Sequence, residues 1–96
     1  MKTKYEVYKI GSKVYAIADY YKDGKPTNYI AIFEASIIGI QIDYKKETIK
    51  TEISYWLSTP DGEEWGDSVK EDYVSDKFDE LTNKMKKIWS TMANNH

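Results

Sequence analysis

Near the end of the chain, apolar residues recur at intervals of three and four positions. This spacing is typical of an amphipathic α-helix, because it places the apolar side chains on one side of the helix. Ser75 before Asp76 suits an N-cap with a carboxylate in the first turn, and lysines gather in the second half, where the helix dipole favours positive charge. The pattern therefore predicts a helix over residues 75–93. The residues predicted to pack against the rest of the protein are Val74, Phe78, Leu81, Met85, Ile88 and Met92.

Upstream of this helix, apolar and polar residues alternate with a period of two, which is typical of β-strands with two different faces. The alternation is clearest on either side of residues 45–48, which are expected to form a hairpin loop. Residues 59–62 mark the end of the last strand, because proline cannot donate to a ladder and the order Thr-Pro-Asp-Gly suits a type I turn. The predicted strands, all within residues 4–58, are 4–10, 14–21, 29–35, 37–44 and 49–57.

Two further turns join the first three predicted strands. Gly11 and the Asp23-Gly24 pair each interrupt an apolar run, and both are typical of tight hairpin turns. No strong turn residue separates the third strand from the fourth. Residues 29–44 are therefore either two strands or one long strand bent at a bulge near Gly39.

The predicted fold class is α+β: an antiparallel β-meander of four to five strands followed by one C-terminal amphipathic α-helix packed on one face of the sheet. Residues 1–96 form a single domain, with the sheet in residues 4–58, an acidic loop containing a short helix in 59–74, and the terminal helix in 75–93. The expected counterpart of the helix is the apolar face formed by Ile38, Ile40, Ile42, Ile49, Ile53, Tyr55 and Leu57.

One helix covers one face, yet residues 14–21 and 29–35 are apolar on both faces. Something besides the helix must therefore shield the second face. Four alternatives remain open at this point. The small sheet curls and closes on itself, residues 61–74 fold back over it, a second protomer covers it, or a partner protein does.

The segment between the sheet and the helix is strongly acidic. Residues 61–80 hold nine carboxylates and two lysines, a net charge of −7, although the whole chain carries only −2. Ser68 followed by Glu71 matches a capping box, which predicts a short helix over residues 69–74. The simplest interpretation is a solvated acidic face whose carboxylates favour the start of that helix.

The alternative interpretation is an acidic surface that docks onto a basic one. Trp65 lies among these carboxylates, a composition typical of protein–protein hot spots, but the same residue also suits an anchor that pins the loop to the core. Closely spaced carboxylates also imitate a phosphate backbone, so this surface is a candidate mimic of nucleic acid. The residues predicted to form the protein-binding surface are Glu63, Glu64, Trp65, Asp67, Glu71, Asp72 and Tyr73.

Candidate catalytic chemistry is sparse. The chain has no cysteine, and its single histidine is the terminal residue, so no nucleophile paired with a histidine base is expected. Asp19 and Glu34 on adjacent strands are a candidate acid–base pair, but carboxylates on a sheet surface are usually only solvated. Residues 61–72 do not match a calcium-binding EF-hand loop, because Trp65 and Val69 occupy liganding positions. No enzyme activity, cofactor or metal is therefore predicted.

All 14 positive charges are lysines. Arginine supplies the planar fork that reads phosphates and guanine edges, so its absence argues against direct nucleic-acid binding. The acidic balance argues likewise against a single-strand-binding sheet, despite the many tyrosines. No run approaches the length of about 18 apolar residues that a membrane span needs, so no membrane association is expected. The lack of cysteine suits a reducing compartment, which predicts a cytoplasmic location.

These features predict a small non-enzymatic protein-binding module whose partner is another protein with a basic surface. Its size, lysine-only basicity and lack of an active site resemble small proteins of phages and mobile elements in general, many of which bind and block a host protein. In that interpretation, the module is an inhibitor and its partner is itself a nucleic-acid-binding protein. The alternative is a structural or homodimeric subunit of a larger assembly, motivated by the two apolar faces of the early strands.

Overall fold

A five-stranded antiparallel sheet and one C-terminal helix make up residues 7–94, the part of the chain that the computed structural model describes, with side chains as far as residue 91. The elements are β1 (Lys13–Lys22), β2 (Lys25–Lys45), β3 (Lys50–Ser58), β4 (Val69–Lys70), a 3₁₀ turn (Glu71–Tyr73), β5 (Val74–Ser75) and α1 (Phe78–Asn94). The strand order is β4-β3-β2-β1-β5. This architecture confirms the predicted α+β fold.

A two-residue turn joins β1 to β2, as the Asp-Gly pair predicts. Asp23 and Gly24 both have positive φ, 55° and 77°, a backbone that lets a hairpin keep the right-handed twist of its strands. Glycine adopts this conformation without strain and aspartate tolerates it. Pro26 already belongs to β2, where it lies opposite Tyr21 near the end of the hairpin.

β2 is one long strand bent in the middle, which is the second of the two alternatives for residues 29–44. Its 21 residues would extend about 70 Å if the strand were straight, whereas the longest dimension of the protein is 35 Å. The ladder with β3 shifts register between Ile37 and Gly39, which marks a bulge at the predicted position. As a result, residues 25–36 pair with β1 and residues 36–45 pair with β3.

The sheet curls until its two edges approach each other. β4 and β5 lie at opposite edges, yet only the three-residue 3₁₀ turn separates them. Four strand spacings of about 4.8 Å would place these edges about 19 Å apart in a flat sheet. Four Cα steps of about 3.8 Å, from Lys70 to Val74, reach at most about 15 Å. Of the four alternatives for shielding the second face of the early strands, the structure therefore supports closure of the sheet on itself.

The inner face of the curled sheet carries the main hydrophobic core. Val7 and Tyr8 pack against it from the N-terminal segment, and Trp65 and Val69 do so from the segment after β3. The backbone N–H of Tyr8 donates to the hydroxyl of fully buried Tyr55 at 3.1 Å. Residues folded back from the acidic segment thus add to the cover that the curl provides. The core residues are Val14, Ala16, Ala35, Ile37, Tyr55, Leu57 and Val74.

The prediction of a first strand over residues 4–10 is wrong for residues 7–10. Residues 4–6 lie outside the described part of the chain. A turn takes its place, closed by a 3.0 Å hydrogen bond from the Ser12 N–H to the Lys9 carbonyl. Gly11 N–H then donates to the Ile37 carbonyl at 2.7 Å, and Ile37 N–H donates to the Ser12 carbonyl at 3.0 Å. The backbone–backbone bonds between residues 7–12 and the sheet both involve Ile37, so this segment forms no ladder with it.

α1 covers the outer face of the sheet on the side of β1, and it contacts β1, β5 and β2. Leu81 and Ile17, 1% and 6% exposed, belong to this interface, since Ile17 follows inward-facing Ala16 on β1. Phe78 packs edge-on against Tyr15 with ring centroids 5.4 Å apart. Val74, the first residue of the predicted helix stripe, lies in β5 and in the inner core and not on the helix. Of the others, Leu81 is buried, Met85 and Ile88 are half-buried, Phe78 is exposed, and the side chain of Met92 lies outside the described residues.

The prediction that the helix packs on the apolar face running from Ile38 to Leu57 is wrong. Ile38 and Ile42 are 40% and 61% exposed, while Tyr55 and Leu57 face the inner core. Ile49 does not even lie in a strand, because it occupies the turn before β3 with a φ of 50°. The physical reason is connectivity. β5 pairs with β1, and α1 starts three residues after β5, so the helix begins beside the β1 edge of the sheet.

The start of the helix also differs from the prediction. α1 begins at Phe78 and not at residue 75, because Val74 and Ser75 are held in the ladder with β1. Ser75 still organises the entry to the helix. Its Oγ accepts a hydrogen bond from the Lys77 N–H at 3.0 Å and donates one to Glu80 at 2.8 Å.

The short helix predicted over residues 69–74 is reduced to the single 3₁₀ turn Glu71–Tyr73. Val69–Lys70 pair with β3 and Val74–Ser75 pair with β1. The backbone on both sides of the turn is therefore in strands and cannot extend the helix. The turn starts after Lys70, whose side chain makes no capping hydrogen bond, and not after Ser68 as the capping box predicts.

Candidate protein-binding surface

Residues 59–65 form a closed turn at the end of β3. Gly62 N–H donates to the Thr59 carbonyl at 2.9 Å, and Thr59 N–H donates to the Glu63 carbonyl at 2.8 Å. Thr59 Oγ1 accepts a further hydrogen bond from the Glu63 N–H at 3.0 Å. Gly62 has a φ of 92°, which residues with a Cβ rarely adopt. The carboxylates of this turn are therefore carried on a backbone whose hydrogen bonds fix its shape.

Trp65 anchors this turn to the core. Its backbone N–H donates to the Leu57 carbonyl at 2.9 Å, and its half-buried ring packs edge-on against Phe33 with centroids 6.0 Å apart. The preceding residue, Glu64, forms an isolated bridge with Ser58. These contacts favour the interpretation of Trp65 as an anchor over that of an exposed hot spot. Within the predicted surface, Trp65 holds the neighbouring carboxylates in position.

Five carboxylates between residues 61 and 73 are exposed. None of them forms a salt bridge with another residue in the described part of the chain. Glu71, also predicted as a surface residue, differs from them because it is half-buried. Like charges at close spacing repel each other, so a cationic partner would relieve that repulsion. The five are Asp61, Glu63, Glu64, Asp67 and Asp72.

The C-terminal part of the predicted surface lies elsewhere, on the 3₁₀ turn that contacts both β3 and β1. Lys84 on α1 donates from Nζ to the Asp72 carbonyl, which ties this turn to the helix. Tyr73 is 39% exposed and lines an open groove beside α1. The structure thus divides the predicted surface into two parts, one on each side of β4.

The groove beside Tyr73 is a feature that sequence reasoning missed. Its volume is about 290 Å³. The residues around it come from β1, β2, the 3₁₀ turn and α1, so no local pattern indicates it. Only Asp19, a carboxylate that interrupts the apolar run of β1, is a signal in the sequence. The lining residues are Ile17, Ala18, Asp19, Ile30, Tyr73 and Ile88.

Asp19 and Glu34 are not assembled into the candidate acid–base pair. Asp19 lies opposite Ile30, whereas Glu34 lies opposite Tyr15. The two carboxylates therefore share a face but are four positions apart along the strands, a backbone separation of about 13 Å. Pairs of carboxyl groups that hydrolyse glycosidic bonds lie about 5–9.5 Å apart.

In residues 7–91, no group of three or more His, Cys, Asp or Glu side chains is arranged to hold a metal ion. Among the described helical residues there is no helix whose length and apolar character would let it cross a membrane. Comparison of the chain with protein-family models, with curated proteins and with solved structures gave no match. The function must therefore be argued from the geometry of the chain itself.

Proposed function

We propose that this protein is a non-enzymatic binding module that docks its acidic surface onto a basic surface of another protein. The observation that carries the proposal is the acidic segment after β3, where Glu63 and Glu64 on the closed turn and Asp67, two residues beyond it, are exposed and form no salt bridge with another described residue. Backbone hydrogen bonds and the anchoring ring of Trp65 hold this turn in place. A surface that is ordered before binding loses less entropy on association than a flexible loop would.

A basic protein is the partner that this surface suits. Residues 61–80 carry a net charge of −7, which attracts cations and repels the phosphates of nucleic acid. Closely spaced carboxylates also present charge in the manner of a phosphate backbone. We therefore propose that the partner is a nucleic-acid-binding protein whose basic site this module blocks, as an inhibitor from a phage or mobile element would do in the cytoplasm of its host.

Charge reversal tests this proposal. The tagged protein is used to capture its partner from a bacterial lysate, and the protein that elutes with salt is identified, purified and titrated by calorimetry. The triple variant Glu63→Lys, Glu64→Lys, Asp67→Lys should bind at least about 100-fold more weakly, because close charge pairs across an interface contribute about 1.5 kcal/mol or more each. Added nucleic acid should displace wild-type protein from the partner.

A matched control makes the same change in net charge at exposed positions away from the turn: Glu34→Lys, Asp43→Lys, Glu47→Lys. This variant should lose less than about tenfold in affinity, because charges beyond about 8 Å are largely screened at physiological salt. Equal losses in the two triple variants would place the contact elsewhere. Full affinity in both would contradict the acidic surface altogether.

A dimeric structural subunit is the second candidate, and exposed apolar side chains on β2 favour it. Ile42 and Tyr44 are 61% and 63% exposed beyond the bulge, and Tyr29 is 70% exposed in the other half of the strand. An isologous pair would hide such side chains from water. Sedimentation equilibrium distinguishes the candidates, since a mass of 11.2 kDa at high concentration leaves only the monomeric module.

A further inference from the structure

The groove beside Tyr73 combines apolar walls with a single carboxylate. β1 and β2 contribute Ile17, Asp19 and Ile30 from one face of the sheet, α1 contributes Ile88, and the 3₁₀ turn contributes Tyr73. The volume of about 290 Å³ is open to solvent along one side. Ile17 is only 6% exposed, whereas Asp19 is exposed. The charged group therefore lies nearer to solvent than the apolar residue two positions before it.

Asp19 is the only carboxylate among the lining residues. It forms no salt bridge with another residue in the described part of the chain. Lys84 lies one turn before Ile88 on α1, but its ammonium group donates to the Asp72 carbonyl. The groove thus offers a negative charge at its rim that the described lysines leave unpaired.

We infer that this groove receives a lysine or arginine side chain of the partner protein. Long basic side chains lay their aliphatic stems along apolar surface and keep the charged head near solvent. The stem would contact the three isoleucines and the cation would meet Asp19, while the ring of Tyr73 adds a cation–π contact. An uncharged apolar side chain would contact only the isoleucines, and Asp19 would repel an acidic side chain.

Charge complementarity supports this occupant. Tyr73 follows exposed Asp72, so the groove adjoins the C-terminal part of the predicted acidic surface, on the other side of β4 from Glu63, Glu64 and Asp67. The inference rests on that proposed function and adds to it: the acidic surface attracts the partner, and the groove selects one basic side chain by shape.

The probe for the groove is a blocked peptide, Gly-Gly-Lys-Gly-Gly, titrated into ¹⁵N-labelled protein and followed by NMR. The amides of residues 17–19, 30, 73 and 88 should shift most. Two matched peptides carry norleucine or acetyl-lysine in place of lysine, which keeps the stem and removes the charge. They should bind about two- to fivefold more weakly, the range expected for an exposed ion pair. Equal binding of the three peptides, or shifts confined to other regions, would overturn the inference.

Two variants sharpen this test. Asp19→Asn keeps the shape of the groove and removes its charge, so it should lower the affinity for the lysine peptide by about the same two- to fivefold and leave the norleucine peptide unaffected. Asp43→Asn makes the same chemical change at an exposed position on the part of β2 that pairs with β3, and it should change the affinity for neither peptide. A wild-type response of Asp19→Asn to the lysine peptide would show that the carboxylate is not the cation site.

The groove and the proposed function fail in distinguishable ways. The triple reversal of Glu63, Glu64 and Asp67 leaves the groove residues intact, so the peptide shifts should persist in that variant. If the triple variant loses the partner while Asp19→Asn keeps both partner and peptide, the groove inference falls and the proposed function stands. If the peptide results hold but the triple variant keeps the partner, the groove stands and the proposed acidic surface falls.

Discussion

The two faces of the sheet are covered in different ways. The inner face is enclosed by the curl of the sheet, by the N-terminal segment and by the segment after β3, so Ala16, Tyr55 and Leu57 are fully buried. Of the described elements, α1 is the one that packs on the outer face, and it does so on the β1 side. Over the other side of that face, Ile38 and Trp56 remain 40% and 37% exposed. Apolar content alone therefore does not decide which part of a sheet is covered.

Connectivity makes the difference. The two residues of β5 pair with β1 and fix the point from which α1 departs. A helix that starts there reaches the outer face of β1 first, whatever apolar residues lie on β3. The inner face does not depend on one short strand in this way, because the curl of the sheet and residues such as Tyr8 and Trp65 cover it together. Stability should thus be concentrated in the inner face, and surface available for binding in the outer face and the acidic turn.

The largest expected effect comes from neighbouring positions on opposite faces of β3. Leu57→Ala empties a fully buried inner site and should lower the free energy of unfolding by about 3 kcal/mol. Trp56→Ala removes a larger side chain from the outer face but should cost about 1 kcal/mol or less, because that side chain is already partly exposed. Urea unfolding of both variants measures the contrast. Equal losses would mean that the outer face of β3 is sealed as well as the inner one.

A smaller loss is expected where the helix meets the outer face. Leu81→Ala should cost about 2 kcal/mol, at the low end for a buried leucine, because the helix can settle toward β1. Hydrogen exchange adds the informative measurement: amides of α1 should lose protection while those of β1 to β3 keep most of theirs. Met85→Ala, at a half-buried position on the same helix, serves as the control and should lose less. A uniform loss of protection would show that the two faces unfold as one unit.

One of the contacts that hold the N-terminal segment over the inner face is the hydrogen bond from the Tyr8 N–H to the Tyr55 hydroxyl. Tyr55→Phe takes away the acceptor of the Tyr8 N–H and should cost about 1 kcal/mol. Tyr44→Phe deletes the same group at a site that is 63% exposed, and it should change stability by less than about 0.5 kcal/mol. Thermal unfolding compares the two. Identical melting temperatures would mean that this hydrogen bond adds nothing measurable to the stability of the closed inner face.

Local patterns predicted those elements whose signals are local. The Asp23-Gly24 turn, the bulge near Gly39 and the presence of one C-terminal helix each follow from residues close together in the sequence. The receiving face of the helix was predicted wrongly because it depends on the pairing of β5 with β1. A two-residue strand carries no period that could indicate this pairing.

The candidate surface, too, could be predicted only where its signal is local in the sequence. The acidity of residues 61–80 is visible in the composition, and the two interpretations of Trp65 were both open until the contact with Phe33 favoured the anchor. The groove was not visible, since Asp19 and Ile88 are brought together only by the packing of α1 on β1. Charge can be counted along a chain, but a cavity requires the tertiary contacts.

The smallest expected effect is the sharpest test of the division between stability and binding. The triple variant Glu63→Lys, Glu64→Lys, Asp67→Lys changes the charge of residues 61–80 from −7 to −1, since each substitution adds two charges. None of these side chains is buried or forms a salt bridge with a described residue, and the hydrogen bonds that close the turn use the backbone and Thr59. The free energy of unfolding should therefore change by less than about 0.5 kcal/mol.

The effect of salt on the stability of the two proteins should differ as well. Wild-type protein carries uncompensated repulsion in the turn, so salt should raise its stability slightly, and the triple variant should lack that dependence. Urea unfolding at low and high salt measures both quantities. A loss above about 1 kcal/mol would mean that the carboxylates hold the turn itself, and weaker partner binding by the variant would then report a changed fold. An unchanged fold together with lost binding would instead assign the carboxylates to recognition, because their removal would affect only the partner.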